Sequence, residues 1–237
     1  MSKYNAMKQQ ALEANLRLPQ LGLVSFTFGN VSVCDRALNA FAIKPSGVPY
    51  EELELKKMVV VDFEGRTVEG EWRPSSDTLT HAVLYKTWRD IGAIVHTHST
   101  NATAWSQAQR DIPILGTTHA DFIAGDIPCS PPMSDAMVKG NYELETGHQI
   151  IACLKDRRLD YHDVEMMLVG NHAPFCWGKD ARKAIYNAAM LEEIARMAIL
   201  TLQLNPNAPR LSEAIIHKHH SRKHGPDAYY GNEKKDH

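Results

Sequence analysis

Apolar residues recur at Met7, Ala11, Ala14 and Leu18, the spacing of one helix face, and Pro19 marks where that helix should end. Residues 24–33 then alternate in a way that predicts a strand pair turning at Gly29-Asn30. Residues 41–44 read as a further strand, closed by Pro45-Ser46-Gly47. Residues 58–62 read as a short buried strand, with a hairpin turn at Glu64-Gly65 and a return from Thr67. Pro74-Ser75-Ser76-Asp77 has the form of a helix entry, and residues 78–88 of the helix itself. Residues 93–98 predict a strand and residues 101–109 a helix. Three more helices are predicted over 146–156, 180–204 and 210–220, with a strand over 166–169 that ends at Gly170-Asn171-His172. Interleaved strands and helices predict a sheet covered by helices, and the short strand–turn–strand links favour mixed or antiparallel order over a purely parallel one.

Composition narrows the class. The chain has 237 residues, 43% hydrophobic and 23% charged, which is enough for one sizeable core. A formal net charge of -2 argues against a general nucleic-acid binder, which carries a basic excess. No apolar run approaches the roughly 20 residues of a membrane helix, and the polar first 16 residues lack the apolar centre of a signal peptide. A cytoplasmic protein is expected. Cys34, Cys129, Cys153 and Cys176 form no Cys-x-x-Cys pair and read as small buried residues of a reducing compartment.

His96-Thr97-His98 is the sharpest local signal. On a strand, residues two apart share a face, so both imidazoles can reach one ion. The alternative is a pair of hydrogen-bonding histidines at a strand end. His172, at another predicted strand end, can supply a third nitrogen. Asp77, at the helix entry, can either cap that helix or contribute a carboxylate oxygen. Three imidazoles and a carboxylate suit zinc or another borderline first-row ion, with manganese and cobalt as alternatives. Such an ion polarises a carbonyl as a Lewis acid.

A second constellation suits an anion. Gly29-Asn30, Lys44-Pro45-Ser46-Gly47 and Pro74-Ser75-Ser76 are separate loop segments that offer backbone amides, hydroxyls and an ammonium. Ser75 and Ser76 fall at a helix N-terminus, and Ser46-Gly47 permits a turn of amides around an oxyanion. A phosphate monoester fits this set, although each segment taken singly is also ordinary turn and capping chemistry. Neither a Gly-x-x-x-x-Gly-Lys-Ser/Thr loop nor a Gly-x-Gly-x-x-Gly is present, which argues against a nucleotide.

Seven segments in order resemble the class II aldolase/epimerase family. They begin at Gly29-Asn30, Ile43-Lys44, Arg73-Pro74, Ile94-Val95, Gly116-Thr117, Ala173-Pro174 and Arg222-Lys223, the last followed by Tyr229-Tyr230-Gly231. The resemblance covers the chain from about Leu12 to Gly231. It implies a three-layer α/β/α sandwich around a mixed, largely antiparallel sheet. One domain would span residues 1–237, with a tail from about residue 221 reaching toward a neighbouring subunit of a cyclic homotetramer. It implies metal ligands at His96, His98 and His172 with Asp77 beside the ion, and a phosphate pocket of Asn30, Lys44, Ser46, Gly47, Ser75 and Ser76. Asp121 and Tyr230 would form a proton-transfer pair, Tyr230 coming from a neighbouring subunit, with His219 and Arg222 close by.

The activity implied is zinc-dependent epimerisation of L-ribulose 5-phosphate and D-xylulose 5-phosphate at carbon 4, by cleaving and remaking the C3–C4 bond. The competing activities are a sugar-phosphate aldolase and a metal-binding protein without catalysis. Aldolases of the family place glutamate where this chain has Asp77, which favours the epimerase. Two positions depart from the family pattern: Phe28, where many relatives have tryptophan, reads as a packing change, and Asn171 precedes His172 in place of the usual His-Gly pattern.

Overall fold

The computed structural model describes residues 2–224. The chain opens with α1 (Asn5–Gln20), then β1 (Asn30–Asp35), β2 (Ala40–Ile43), β3 (Val59–Asp62) and β4 (Thr67–Glu69). Next come α2 (Thr78–Thr87), β5 (Ala93–His96), α3 (Thr100–Gln107) and two short helices, α4 (Thr117–Ala120) and α5 (Asp135–Lys139). It continues through α6 (Tyr142–Asp156), β6 (Met166–Leu168), β7 (Pro174–Gly178), α7 (Ala181–Leu204) and α8 (Glu213–His224). The strands form one sheet in the order β4-β3-β2-β1-β5-β7-β6, and every neighbouring pair is antiparallel. The sheet is thus less mixed than expected; a parallel contact appears as the isolated bridge between Cys129 and Leu168.

Helices α1 and α7 cover one side of the sheet, and α3 packs on α7. Asn15 of α1 bonds both backbone groups of Val31, at 2.8 Å each. Helix α2 meets the sheet through Ser32, and α6 stacks on α2. Gly147 makes that stacking close, since a Cβ there would lie 2.9 Å from Val83. The strands that carry the centre are fully buried apolar runs, as in Phe41-Ala-Ile43 and Ile94-Val95.

Several elements differ from the sequence reading. The expected strand pair over 24–33 is one strand, because Phe26 and Gly29 take left-handed φ angles of 55° and 79° and keep residues 21–29 irregular. Asn30 therefore starts β1 and is not part of a turn. Strand β7 was not predicted, because Pro174 reads as a terminator, yet proline is tolerated as the first residue of a strand. Helix α6 begins at Tyr142, four residues early, where Asn141 accepts a hydrogen bond from the Leu144 amide. Thr117–Ala120, given no element by the sequence reading, is a helical turn, and α8 runs as far as His224.

Candidate active site

The antiparallel order brings the start of β1, the end of β5 and the start of β7 to one end of the sheet. Asn30 lies opposite His96, and His96 lies opposite Phe175. Only His96 of the histidine pair is within the strand; His98 follows just beyond it. His172 sits in the tight β6–β7 connection, where its amide donates to the Val169 carbonyl at 3.0 Å. Asn171 supplies the bend with a φ of 61°, a conformation asparagine tolerates better than most residues. These segments bring together one nitrogen each from His96, His98 and His172, all within 4.8 Å of one another.

This cluster has the chemistry of a metal-binding set. His96 donates through Nδ1 to the Pro174 carbonyl at 3.0 Å, which leaves Nε2 with its lone pair. His172 has a buried Nδ1 without a partner among the described residues. Burial pulls the His96 imidazole down to about 3 and also lowers His98 and His172, so all three favour the neutral, ligating form. His96 is buried, His172 half-buried and His98 exposed, so the cluster opens to solvent on one side.

Asp77 precedes α2 but does not cap it with its side chain. Its Oδ2 instead accepts from Asn30 Nδ2 at 2.7 Å, and the same amide reaches Ser75 Oγ at 3.1 Å. The two donor-rich loops are also joined. The Ser46 amide donates to the Arg73 carbonyl at 2.9 Å, and the Ser75 amide to the Lys44 carbonyl at 3.0 Å. Lys44 is almost fully buried, donates to the Thr27 carbonyl at 3.1 Å and lies over the Tyr50 ring. Burial pulls its ammonium down to about 8. Gly47 has a φ of 69° that favours glycine, and Ser46 and Ser76 are exposed. Asn30, Lys44, Ser46, Ser75 and Asp77 therefore form one connected neighbourhood.

Asp121 has different partners. Its carboxylate receives Arg222 Nη2 at 2.8 Å and His219 Nδ1 at 3.0 Å, with Lys223 at 3.7 Å, all from α8. Burial pushes the carboxyl up, but the hydrogen bonds from Arg222 and His219 and the nearby positive charges outweigh it and hold it below the usual range. Among the described residues no hydrogen bond, ion pair or ring contact joins Asp121 to the three histidines. Tyr230 lies outside the described residues.

The sequence reading missed three residues here. Phe28 is 57% exposed, with its ring 5.8 Å from His98, so it lines the site and is not a packing change in the core. Tyr142 lies 5.8 Å from His172 at the first residue of α6. His81, one helical turn beyond Asp77, is fully buried. Its position on the buried face of α2 was the available signal.

Residues 9–199 match the family described as class II aldolase and adducin N-terminal domain. The chain belongs to the class II aldolase family. Relatives in it include the L-ribulose-5-phosphate 4-epimerases UlaF of Salmonella paratyphi A and of Salmonella typhi. Each is 51% identical over 225 residues, covering 95% of this chain and 98% of the relative. Among solved structures, an L-fuculose 1-phosphate aldolase superposes with a TM-score of 0.76 at 23% identity, covering 94% of this chain and 97% of that one. YgbL of Klebsiella pneumoniae, described as a putative aldolase/epimerase/decarboxylase, superposes at 0.72 and 23% identity, covering 92% and 99%. These likenesses give the class II aldolase fold. No described helix is long and apolar enough to cross a membrane.

Proposed function

We propose that this chain is a divalent-metal-dependent epimerase that interconverts L-ribulose 5-phosphate and D-xylulose 5-phosphate at carbon 4. The observation that carries the reading is 51% identity to L-ribulose-5-phosphate 4-epimerases over 95% of the chain. His96, His98 and His172 would hold one ion per subunit, zinc being the ion their nitrogens suit best, with Asp77 beside it. When bound, that ion supplies a Lewis acid that draws charge from the ketose carbonyl as the C3–C4 bond breaks.

The rest of the reaction belongs to the side chains. Lys44, Ser46, Gly47, Ser75 and Ser76 hold the phosphate, Asn30 steadies Ser75 through its amide, and the Lys44 ammonium gains an anion partner in a site that otherwise leaves it desolvated. A base takes the C4 hydroxyl proton, and cleavage yields an aldehyde that stays tethered by its phosphate. The aldehyde turns over, the bond reforms on its other face, and a second group returns the proton. Two acid/base groups on opposite faces are required. Asp121 and Tyr230 fill these roles, and α8 keeps Asp121 in the ionised, proton-accepting form. Tyr230, outside the described residues, would reach the site from a neighbouring chain of a rotationally symmetric homotetramer.

Chelation followed by readdition of metal tests the assignment. Activity on L-ribulose 5-phosphate should vanish with the metal and return with zinc, while the His98→Ala protein should neither retain zinc nor recover. Full activity in metal-free protein would refute it.

A further inference from the structure

A line of buried polar groups runs from the interior of α2 to the candidate centre, and the proposed reaction does not use its inner members, Ser32, His81 and Tyr85. On β1, Asn30 and Ser32 are two residues apart and share a face. Asp77, just before α2, and His81 and Tyr85 within it succeed one another at four-residue intervals along one face. The two rows meet as rungs. Asn30 Nδ2 donates to Asp77 at 2.7 Å; Ser32 Oγ lies 2.7 Å from His81 Nδ1 and 2.8 Å from the Tyr85 hydroxyl. Ser32, His81 and Tyr85 are completely buried and Asn30 almost so.

Two buried atoms in this ladder, Asn30 Oδ1 and His81 Nε2, have no partner among the described residues. Their chemistry is complementary. The Asn30 amide nitrogen is committed to Asp77 and Ser75, so its oxygen can only accept. If the Ser32 hydroxyl donates to Nδ1, His81 carries its proton on Nε2 and can only donate there. The two rungs are neighbours on both elements, which places this donor and acceptor on adjacent steps.

We propose that His81 is a positioning residue for Asp77, completing a one-way chain of donors that runs Ser32→His81→Asn30→Asp77, with the Tyr85 hydroxyl donating to the Ser32 carbonyl at 3.1 Å. One ordered water closes the step from His81 Nε2 to Asn30 Oδ1. Each donor in such a chain polarises the next, so the Asn30 amide is held against the Asp77 carboxylate more firmly than it would be alone. A buried polar atom without a partner is uncommon in a folded protein, and this arrangement accounts for two of them. The proposal rests on the reading of Asp77 as a residue beside the metal.

Two readouts test it. The first needs no turnover: in protein with 15N-labelled histidine, His81, assigned by loss of its signal in a His81 variant, should be the Nε2–H tautomer. Observation of the Nδ1–H tautomer would overturn the chain whatever reaction the protein performs. The second compares two amides that mimic different ring nitrogens. His81→Gln places its amide nitrogen near Nε2 and should keep kcat within about threefold of the parent; His81→Asn reaches only the Nδ1 position and should lower kcat roughly 10–100-fold, with KM and bound metal unchanged. If His81→Gln is no better than His81→Asn, or His81→Asn is fully active, the proposal fails. Equal losses of kcat accompanied by equal losses of Tm would mark His81 as a structural residue only.

Discussion

Asn30 and Asp77 are joined at 2.7 Å between the amide nitrogen of one and the carboxylate of the other, while the Asn30 backbone lies directly opposite His96. One residue thus links the carboxylate, the Ser75 hydroxyl and the strand that carries the first histidine. Asn30→Ala removes the donors and leaves the carboxylate free to turn. The expected loss in kcat/KM is roughly 10–100-fold, with the metal still bound by the histidines. Steady-state kinetics beside metal analysis reads both quantities, and an unchanged kcat/KM would remove Asn30 from the site.

Lys44 gives a pH signature. Burial lowers its ammonium from 10.5 to about 8, so the charged form is present below that value and lost above it. KM for a phosphorylated ketose should therefore rise as pH passes upward through about 8, and Lys44→Met should have a high KM with little further dependence there. The sign for stability is opposite. The unfolded chain binds more protons than the native one between the two values, so the ligand-free fold should gain stability as pH rises from about 8 toward 10.5. Thermal unfolding of the parent and of Lys44→Met across that interval checks the second half.

Asp121 is expected to serve chemistry and anchoring together. Asp121→Asn should lower kcat by about 10²–10⁴-fold, as the loss of one positioned acid/base group does, and Tyr230→Phe should do the same, both with metal retained. Only Asp121→Asn should also loosen α8, since Arg222, His219 and Lys223 all converge on its carboxylate. Amide exchange over Glu213–His224 distinguishes the two variants. Near-normal turnover by either would pass its role to another residue.

Much of the frame was legible along the chain. The run Ala93-Ile-Val-His96 announced a buried strand with a candidate ligand at its end, and Asp180 announced the start of α7, where its carboxylate accepts from the Lys183 amide at 2.8 Å. Local chemistry failed where backbone geometry overruled it. The alternating residues before Asn30 resemble a strand, but left-handed Phe26 and Gly29 break it, and Pro174 looks like a stop although it opens β7. Convergence was the larger gap. Spacing put His96 and His98 on one face, yet nothing local brought His172 to them; that follows from β7 pairing with β5. The partner of His81 could not be read locally for a related reason, because Ser32 lies 49 residues earlier.

Purified, zinc-loaded protein given L-ribulose 5-phosphate should bring it to an equilibrium mixture with D-xylulose 5-phosphate, with no build-up of dihydroxyacetone or glycolaldehyde phosphate, as followed by 13C NMR of the sugar mixture. Accumulation of the two fragments would make the protein an aldolase, and unchanged substrate in the presence of bound zinc would contradict the assignment altogether.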